Sequence, residues 1–399
     1  MPRVLRIINR LNLGGPTYNA AYLTKYLAPE FETLLVSGMK DDSEESSEFI
    51  VESMGITPVY ISNMQREINL KNDFDAYKQL SKIIKEFKPD IVHTHAAKAG
   101  TLGRIAAWNN NVPVIIHTFH GHVFHSYFSP LKTKFFIGIE KILSSISTGI
   151  IAISDEQKKD LCEKYCVSKS AKTHIVPLGF DLERFAQNKD IKRQDFRKKY
   201  NLNYETIAVG IIGRLVPVKN HTLFVKAWKN ISSQYKNKVH AFIIGDGEDR
   251  LKIESLCNEL GILFNTPDNK VDGANLTFTS WIKEVDWAMA GLDIIALTSF
   301  NEGTPVSLIE AQAAGKPILS TNVGGLSNAV LEGETCLLSD SDDLLAFTEN
   351  LTRLLGDKSL RDKMSLAGPA FAMEHFTYLR LVKDIRNLYY ELLKSRGIS

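Results

Sequence analysis

Several features that mark particular protein classes are scarce in the sequence or missing from it. Four cysteines among 399 residues are too few for a disulfide framework and are typical of a reducing compartment. Lysine and arginine number 48 against 46 aspartates and glutamates, so the near-neutral charge gives no indication of a nucleic-acid-binding protein. No apolar run approaches the ~18 residues of a membrane span, and the first residues, MPRVLRIINRL, lack the apolar core of a signal peptide. We therefore expect a globular protein of the cytoplasm.

The most general pattern present is an alternation of short apolar segments with helical stretches. It continues through the sequence and predicts an α/β protein with parallel sheets. The length predicts two domains, and residues 181–205, which are charged and poor in aliphatic side chains, predict a linker region. Ligands of open α/β sheets bind beyond the carboxyl ends of the strands. Polar side chains follow several predicted strands at that end: His95, His120, Arg214, Asp246, Glu248 and Glu302.

The stretch SFNEGTPVSLIEAQAAGKPI, residues 299–318, predicts a tight loop followed by a helix. The apolar run LDIIALTS before the loop predicts a buried strand. Thr304 is expected to cap the helix, with Pro305 at the first helical position, where a missing N–H group does no harm. Gly315 is expected to end the helix.

The start of this helix is predicted to bind an anion. The N–H groups of Thr304, Val306 and Ser307 would point out of a helix N-terminus, where the helix dipole favours negative charge. Glu302 precedes the helix, and Glu310 lies about 9 Å along it at ~1.5 Å per residue. That separation suits a diphosphate flanked by hydroxyl groups that donate to the two carboxylates. A nucleotide sugar is therefore the first hypothesis for the ligand.

The segment GRLVPVKN contains the cations that a diphosphate needs. Arg214 and Lys219 lie on either side of a predicted loop, and both could reach a phosphate group, the arginine as a fork and the lysine as a point charge. The alternative is that both are solvated surface charges. The predicted anion site favours the first interpretation.

The segment LNLGGPTYN places Gly14 and Gly15 just before a predicted helix. It lacks the full G-x-G-x-x-G fingerprint of a dinucleotide site, and a glycine pair before proline is often only a turn. Its functional interpretation is a close approach of the backbone to a ligand.

Six of the ten histidines fall within a short part of the sequence: His93, His95, His117, His120, His122 and His125. Their spacing could suit a metal ion, but no aspartate or glutamate lies among them, and catalytic zinc sites often use one. We therefore expect no metal site. His120, at the ligand end of a predicted strand, is better placed to contact the hydroxyl groups of a substrate.

Aromatic residues and lysines are interleaved in the segment GHVFHSYFSPLKTKFFIGIEKIL. They are Phe124, Tyr127, Phe128, Phe135 and Phe136 with Lys132, Lys134 and Lys141. Rings of this kind insert into a membrane interface while ammonium groups meet anionic head groups. The alternative is that Leu131, Phe135 and Ile142 form the buried face of a helix.

The ordered set of motifs resembles the retaining nucleotide-sugar glycosyltransferases of family 4, which have the GT-B fold. The most specific motif is E-x7-E, here Glu302 and Glu310. The others, each weak alone, are LGGP, DIVHTH, TFHG, IIAIS, VPLGFDLERF, GRLVPVKN, IGDGEDRL and TNVGGLSNAV. The resemblance covers nearly the whole chain.

The resemblance implies two Rossmann-like domains that face each other across a cleft. An N-terminal acceptor domain, residues 1–185, would be completed by residues 376–399, because the last helix crosses back to it. Residues 186–375 would form the domain that binds the nucleotide-sugar donor.

The resemblance also implies roles for individual residues. Glu302 and His120 would contact the transferred sugar, Glu310 would hold the ribose, and Arg214 with Lys219 would neutralise the leaving diphosphate. Neither a metal nor another cofactor is implied. The positions expected around the donor are Gly14, Gly15, Arg214, Lys219, Gly303, Thr304, Pro305, Val306, Ser307 and Glu310.

Two positions depart from the family pattern. Ser280 and Cys336 stand where the family commonly has glycine, the first of them near the loop that contacts the base. The expected base, uracil, therefore rests on weaker grounds than the diphosphate.

The expected function is retaining transfer of a hexosyl or N-acetylhexosaminyl group from a UDP-sugar to a glycan or lipid-linked glycan. We expect this in bacterial surface polysaccharide synthesis, with peripheral contact to the inner face of the membrane. Two alternatives are a glycoside hydrolase and a non-catalytic nucleotide-sugar-binding protein. A hydrolase needs two carboxylates opposed across a bond at ~5 or ~6.5–9.5 Å, whereas two residues eight positions apart on a helix are staggered along its axis.

Overall fold

The structure, a computed structural model, describes residues 1–12, 15–39, 48–65, 67–121, 130–235 and 238–398. The chain divides into two compact units. The first combines Met1–Phe180 with Phe376–Ser399, and the second is Asp181–His375. This division falls after Phe180, whereas the sequence analysis placed the boundary after residue 185; Arg184 lies against Glu310 of the second unit.

Strands and helices alternate along both units, as predicted. The strands are β1 (Arg3–Ile8), β2 (Glu32–Gly38), β3 (Val59–Ile61), β4 (Ile91–His95), β5 (Val114–Thr118), β6 (Gly149–Ala152), β7 (Thr173–Ile175), β8 (Ile207–Ile212), β9 (Val239–Ile244), β10 (Phe264–Asn265), β11 (Leu276–Ser280), β12 (Ile294–Leu297), β13 (Ile318–Thr321) and β14 (Cys336–Ser339). The helices are α1 (Gly15–Tyr26), α2 (Glu48–Ser53), α3 (Leu70–Phe87), α4 (Ala97–Asn109), α5 (Pro130–Ser145), α6 (Asp155–Lys159), α7 (Lys189–Lys199), α8 (His221–Tyr235), α9 (Arg250–Glu259), α10 (Val285–Gly291), α11 (Val306–Ala313), α12 (Leu344–Gly356), α13 (Lys358–His375) and α14 (Tyr378–Ser395). None of these helices is long and apolar enough to cross a membrane.

The first unit is built on a seven-stranded sheet in the order β3-β2-β1-β4-β5-β6-β7. Its paired strands are parallel. The central strands are buried along nearly their whole length, as expected when helices cover both faces of a parallel sheet.

Helix α14 belongs to the first unit although it follows the second in the chain. Its apolar face, which includes Leu381, Ile385 and Leu388, packs on β-strand residues such as Val4 and Ile116. Two backbone hydrogen bonds join its start to residue 180, from Phe180 N–H to the Phe376 carbonyl at 2.8 Å and from Tyr378 N–H to the Phe180 carbonyl at 3.0 Å. The amphipathic pattern of this helix is therefore explained by burial against a sheet formed from the beginning of the chain.

The second unit contains a seven-stranded parallel sheet in the order β10-β11-β9-β8-β12-β13-β14. Its largest core residue is Trp228 of α8, which is fully buried with Phe224, Phe347 of α12 and Phe278 of β11. The central strands β8, β9 and β12 end at the loops that carry Arg214, Asp246 and Glu302, so the fold gathers these loops at one edge of the sheet.

Gly179 tests how tightly the start of α14 is packed. A Cβ atom at this position would lie 2.6 Å from Leu381 Cβ and 2.7 Å from the Thr377 carbonyl oxygen. Gly179→Ala is expected to lower the free energy of unfolding by about 1–3 kcal/mol, because overpacking forces the helix away from the sheet. Thermal and urea unfolding followed by circular dichroism measure the change.

Gly138→Ala is the matched control, since a Cβ atom there meets no atom within 4 Å and alanine favours a helix interior. Equal midpoints for Gly179→Ala and the wild type would contradict the close packing of α14.

Candidate active site

The strand, loop and helix predicted around residues 294–315 are present, with a shifted helix start. Helix α11 begins at Val306, and Pro305 occupies the capping position that was predicted for Thr304. The reason is a turn before the helix, in which Val306 N–H donates to the Thr304 carbonyl at 2.9 Å. That N–H group is therefore already bonded. Ser307 holds the second helical position.

The end of α11 is as predicted. Gly315 has a φ of +68°, the left-handed conformation that glycine adopts without a steric penalty. Its N–H donates to the Gln312 carbonyl at 2.9 Å, and Lys316 N–H donates to the Ala311 carbonyl at 2.8 Å. These two bonds form a Schellman motif that satisfies the last carbonyl groups of the helix.

Glu302 and Lys219, predicted from separate motifs, lie in direct contact. Glu302 Oε1 is 2.6 Å from Lys219 Nζ and accepts a second hydrogen bond of 2.6 Å from Ser299 Oγ. The Glu302 residue is only 8% exposed. A charge-assisted hydrogen bond in this setting holds both side chains in one geometry. The structure thus joins an acid and a cation at the carboxyl edge of the second sheet.

Backbone contacts fix the two loops that carry this pair. Thr298 Oγ1 donates to the Lys219 carbonyl at 2.9 Å, and Phe300 N–H donates to the Val218 carbonyl at 2.8 Å. The loop after β8 therefore cannot shift without the loop after β12. The geometry of the ion pair therefore depends on the positions of both loops.

A glycine pair supports the Glu302–Gly303 backbone, and sequence reasoning assigned it no role. Gly325 N–H donates to the Glu302 carbonyl at 3.0 Å. A Cβ atom on Gly324, whose φ is +56°, would lie 2.1 Å from that carbonyl oxygen, and one on Gly325 would lie 2.3 Å from the Gly303 oxygen. The signal available in the sequence was the pair of glycines just after a predicted strand, in TNVGG.

Arg214 lies on the loop after β8 and is exposed. Its guanidinium forms no hydrogen bond or ion pair with any residue that the structure describes. The loop is fixed by its neighbour Leu215, whose N–H donates to the Asp246 carbonyl at 2.9 Å and whose carbonyl accepts from Asp249 N–H at 2.9 Å. The backbone at Arg214 is thus held while the side chain remains available.

Glu310 lies one to two turns into α11 with a side chain that is 14% exposed. Burial raises its pKa to about 7, an effect that Arg184 opposes and Asp286 reinforces. Arg184 Nη2 lies 3.7 Å from Glu310 Oε1, a contact that the sequence analysis did not foresee. The two acids of the E-x7-E pattern thus have different partners, Lys219 for one and Arg184 for the other.

The structure accounts for the two departures from the family pattern. Ser280 has a φ of +59°, where glycine is the usual residue, but its hydroxyl donates to the Asp246 carboxylate and its carbonyl accepts from Gly245 N–H at 3.0 Å. Cys336 is fully buried in β14, and burial raises the pKa of its thiol well above the usual value. The thiol therefore serves as a small apolar side chain.

The histidines of the first unit occupy the sheet and its edge. His93, His95 and His117 are buried in β4 and β5, and burial lowers the pKa of each well below the usual value. His120 follows β5, and burial lowers its pKa to about 3, so all four imidazoles are neutral. His122 and His125 lie outside the described residues.

Within the described ranges, no group of three or more histidines, cysteines, aspartates or glutamates is arranged to hold a metal ion. Among the other predicted positions, Gly15 is the first residue of α1, and a Cβ atom there would lie 3.2 Å from Leu178 Cδ1. Gly14 lies outside the described residues.

Two seven-stranded parallel α/β units of this kind have the architecture of the GT-B glycosyltransferases. The family described as Glycosyltransferase Family 4 matches residues 13–184, and that described as Glycosyl transferases group 1 matches residues 192–371. The UDP-Gal:alpha-D-GlcNAc-diphosphoundecaprenol alpha-1,3-galactosyltransferase of Escherichia coli is 30% identical over 340 residues, which cover 84% of each chain. The chain belongs to glycosyltransferase family 4.

Two further similarities agree with this membership. The capsular polysaccharide biosynthesis glycosyltransferase CapM of Staphylococcus aureus is 27% identical over 369 residues, 89% of this chain and 90% of CapM. The crystal structure of Anabaena Alr3699/HepE in complex with UDP superposes with a TM-score of 0.81 over 98% of this chain and 100% of that one, at 17% identity. The similarity to HepE is one of fold alone.

The raised pKa of Glu310 predicts a dependence of stability on pH. Because the pKa rises from 4.5 to about 7 on folding, the folded state binds the proton more tightly, and stability falls as the pH rises between these values. Glu310→Gln removes this loss and should gain up to about 3 kcal/mol on the wild type between pH 5 and pH 8, at ~1.36 kcal/mol per pKa unit. Thermal midpoints across this range measure the difference.

Glu349→Gln, a change at an exposed residue of α12, is the control and should follow the wild-type curve. Parallel curves for Glu310→Gln and the wild type would show that burial does not hold the proton on Glu310.

Proposed function

We propose that the protein transfers a hexosyl or N-acetylhexosaminyl group from a UDP-sugar to a hydroxyl of a lipid-linked glycan, with retention of anomeric configuration. The observation that carries the proposal is the contact of 2.6 Å between Lys219 and Glu302. Three similarities support the substrates: the E. coli relative is named for UDP-Gal and a diphosphoundecaprenol acceptor, CapM for capsular polysaccharide, and HepE is bound to UDP.

The site provides positive charge for a leaving diphosphate. In the proposal, Lys219 and Arg214 meet the phosphate groups together with the loop of Gly303, Thr304 and Pro305 and with Ser307 in the first turn of α11. The Val306 N–H is bonded to the Thr304 carbonyl and does not contribute. Cationic groups fixed in advance stabilise charge as it develops on a leaving group. The reaction therefore needs no bound metal and no other cofactor.

The two carboxylates have separate roles in this proposal. Glu302, held by Lys219 and Ser299, accepts hydrogen bonds from the donor sugar close to the phosphate-binding cations. Glu310 accepts from the ribose hydroxyls and is ionised when it does so. The resemblance to the family assigns His120 to the transferred sugar and the glycine pair Gly14 and Gly15 to the phosphates and acceptor, and we keep these assignments as part of the proposal.

The contacts of the acids also bear on the hydrolase alternative. Glu302 is bonded to a lysine and Glu310 lies beside an arginine, so each acid has its own cationic partner, whereas a hydrolase needs its two carboxylates opposed across the scissile bond. Turnover of a UDP-sugar distinguishes a transferase from a non-catalytic binding protein. Release of UDP from a UDP-sugar only when a lipid-linked acceptor is present supports transfer, and release without an acceptor supports hydrolysis.

Lys219→Ala and Arg214→Ala test the proposed charge stabilisation. Each is expected to lower kcat by a factor of ~10²–10³, the usual effect of losing one donor to developing charge. Assays run in EDTA, because the proposal requires activity without a divalent ion. The measurement is formation of UDP and of glycosylated acceptor.

Lys226→Ala, at an exposed position of α8, controls for loss of a lysine and should retain the wild-type rate. Lys219→Gln adds a check on folding, since an amide can still donate to the buried Glu302. Near-wild-type turnover in both alanine variants, or dependence on added metal, would remove the assigned roles.

The surface of α5 supports peripheral membrane contact. Phe135 and Ile142 are 65% and 67% exposed, so the alternative that they form a buried helix face is wrong. Lys132, Lys134 and Lys141 are also exposed on α5. Apolar side chains beside lysines suit an anionic lipid surface. Phe124, Tyr127, Phe128 and the Leu131 side chain lie outside the described residues. On this proposal the enzyme works at the cytoplasmic face of the membrane.

Flotation with anionic liposomes tests this contact. The double variant Phe135→Ser, Ile142→Ser should float less than the wild type, because apolar insertion is lost, as should Phe124→Ser, Phe128→Ser. Leu366→Ser, at a residue of α13 that is 82% exposed, is the control and should float like the wild type. A wild type that does not float, yet is fully active on a soluble sugar acceptor, would disprove membrane contact.

A further inference from the structure

A chain of polar side chains runs through the interior of the first unit and ends at His120. Arg6 of β1, His93 and His95 of β4, and Tyr389 of α14 are each fully buried. The strands are neighbours in the sheet, and the register pairs Arg6 with His93 and Ile8 with His95. Polar groups in the middle of a parallel sheet are uncommon, since aliphatic residues normally fill these positions.

Arg6 is the only arginine in this row of buried polar side chains. Its Nη1 atom lies 3.0 Å from His93 Nδ1, 3.3 Å from the Tyr389 hydroxyl and 3.5 Å from His95 Nε2, while Nε donates to Thr24 Oγ1 at 3.2 Å. No carboxylate of the described residues forms an ion pair with it. A buried charge without a counter-ion is costly unless polar groups solvate it. Here imidazoles and hydroxyls bond to Nε and Nη1, whereas Nη2 is buried and has no hydrogen-bond partner among the described residues.

The guanidinium determines which imidazole nitrogens carry hydrogen. Arginine donates hydrogen bonds and cannot accept them. The two hydrogens of Nη1 are therefore shared among three acceptors, and the imidazole nitrogens that face Nη1 are unprotonated. His93 Nδ1 also accepts from the Tyr389 hydroxyl at 2.6 Å, and its other nitrogen, Nε2, then donates to Thr118 Oγ1 at 2.7 Å. The contacts on both sides of His93 agree with this assignment.

The same reasoning assigns the hydrogen positions of His95 and then of His120. With Nε2 of His95 facing Arg6, the single hydrogen of this neutral imidazole is on Nδ1. That atom lies 2.8 Å from His120 Nε2 and donates to it. The hydrogen of His120 is therefore on Nδ1, a buried atom that has no hydrogen-bond partner among the residues described.

We propose that Arg6 and His95 are positioning residues that hold His120 in the Nδ1–H form, so that it donates a hydrogen bond to an oxygen of the bound sugar. The contact with the sugar rests on the proposed function, whereas the proton arrangement rests on the contacts within the first unit. His120 is then a donor and not a general base, because its second nitrogen is occupied by His95.

Nitrogen NMR of the protein labelled with ¹⁵N-histidine tests the proton arrangement without reference to activity. The two neutral forms of imidazole give different nitrogen shifts and couplings, and the spectrum of His120→Asn identifies the His120 signals. The wild type should show the Nδ1–H form. His95→Phe should convert His120 to the Nε2–H form that free imidazole side chains prefer, while His95→Asn, whose amide can donate from the place of Nδ1, should retain Nδ1–H.

Kinetics complete the test. His95→Phe is expected to lower kcat by about 10- to 100-fold through misplacement of the donor, with KM for the UDP-sugar little changed and substantial rescue in His95→Asn. His240→Phe, which removes a largely buried imidazole from the second unit, should alter neither the His120 signals nor kcat. If His95→Phe does not fold, the spectra of the wild type and of His95→Asn still show which nitrogen of His120 carries the hydrogen.

An Nε2–H form of His120 in the wild type, or no change in His95→Phe, would overturn the proposed proton arrangement. Conversion of His120 with kcat unchanged would overturn its contact with the sugar. A wild type with the Nδ1–H form but no transferase activity on any UDP-sugar would instead reject the proposed function, so the two failures are distinct.

Discussion

A parallel sheet that is covered on both faces admits few polar side chains except where its strands end. This constraint determines where chemistry is located in both units. The central strands β8 and β12 are apolar, and their first polar side chains come at the carboxyl edge, at Arg214 after β8 and at Thr298, Ser299 and Glu302 after β12. The short contact between Lys219 and Glu302 forms there because each residue belongs to a loop that leaves a neighbouring strand. Its geometry follows from the register of the sheet.

The first unit departs from the same constraint, and the departure is informative. Arg6, His93 and His95 lie inside strands at positions that could hold aliphatic residues. All their side-chain nitrogens except Arg6 Nη2 have hydrogen-bond partners, which include one another and Tyr389. Polar networks of this kind specify a unique arrangement when their members are satisfied. Helix α14 supplies Tyr389, so the network also depends on the segment that returns from the second unit. The hydrogen bonds of this network therefore depend on the packing of α14 against the first sheet.

The return of the last helix was expected only from the resemblance to the family. The sequence itself was sufficient for the alternation of elements, the parallel sheets and the strand–loop–helix around Glu302. These depend on hydrophobic periodicity and turn residues, which are local. It was insufficient for partners brought together over long separations, such as Arg184 with Glu310 or Arg6 with His95. The start of α11 was misplaced because Thr304 and Pro305 both carry helix-start signals, and the turn at Val306 decided between them. Phe135 and Ile142 were wrongly given a buried alternative, because an apolar residue on a helix does not reveal whether anything covers it.

The return of α14 also governs the order in which the molecule can be completed during synthesis. The second unit, Asp181–His375, is continuous, so all its strands are available as soon as that stretch has left the ribosome. The first unit lacks α14 until the second unit has been translated, and core residues such as Val4 and Ile116 remain without their covering helix for that interval. Because domains generally fold as units during synthesis, the unit that is translated first is the one that is finished last.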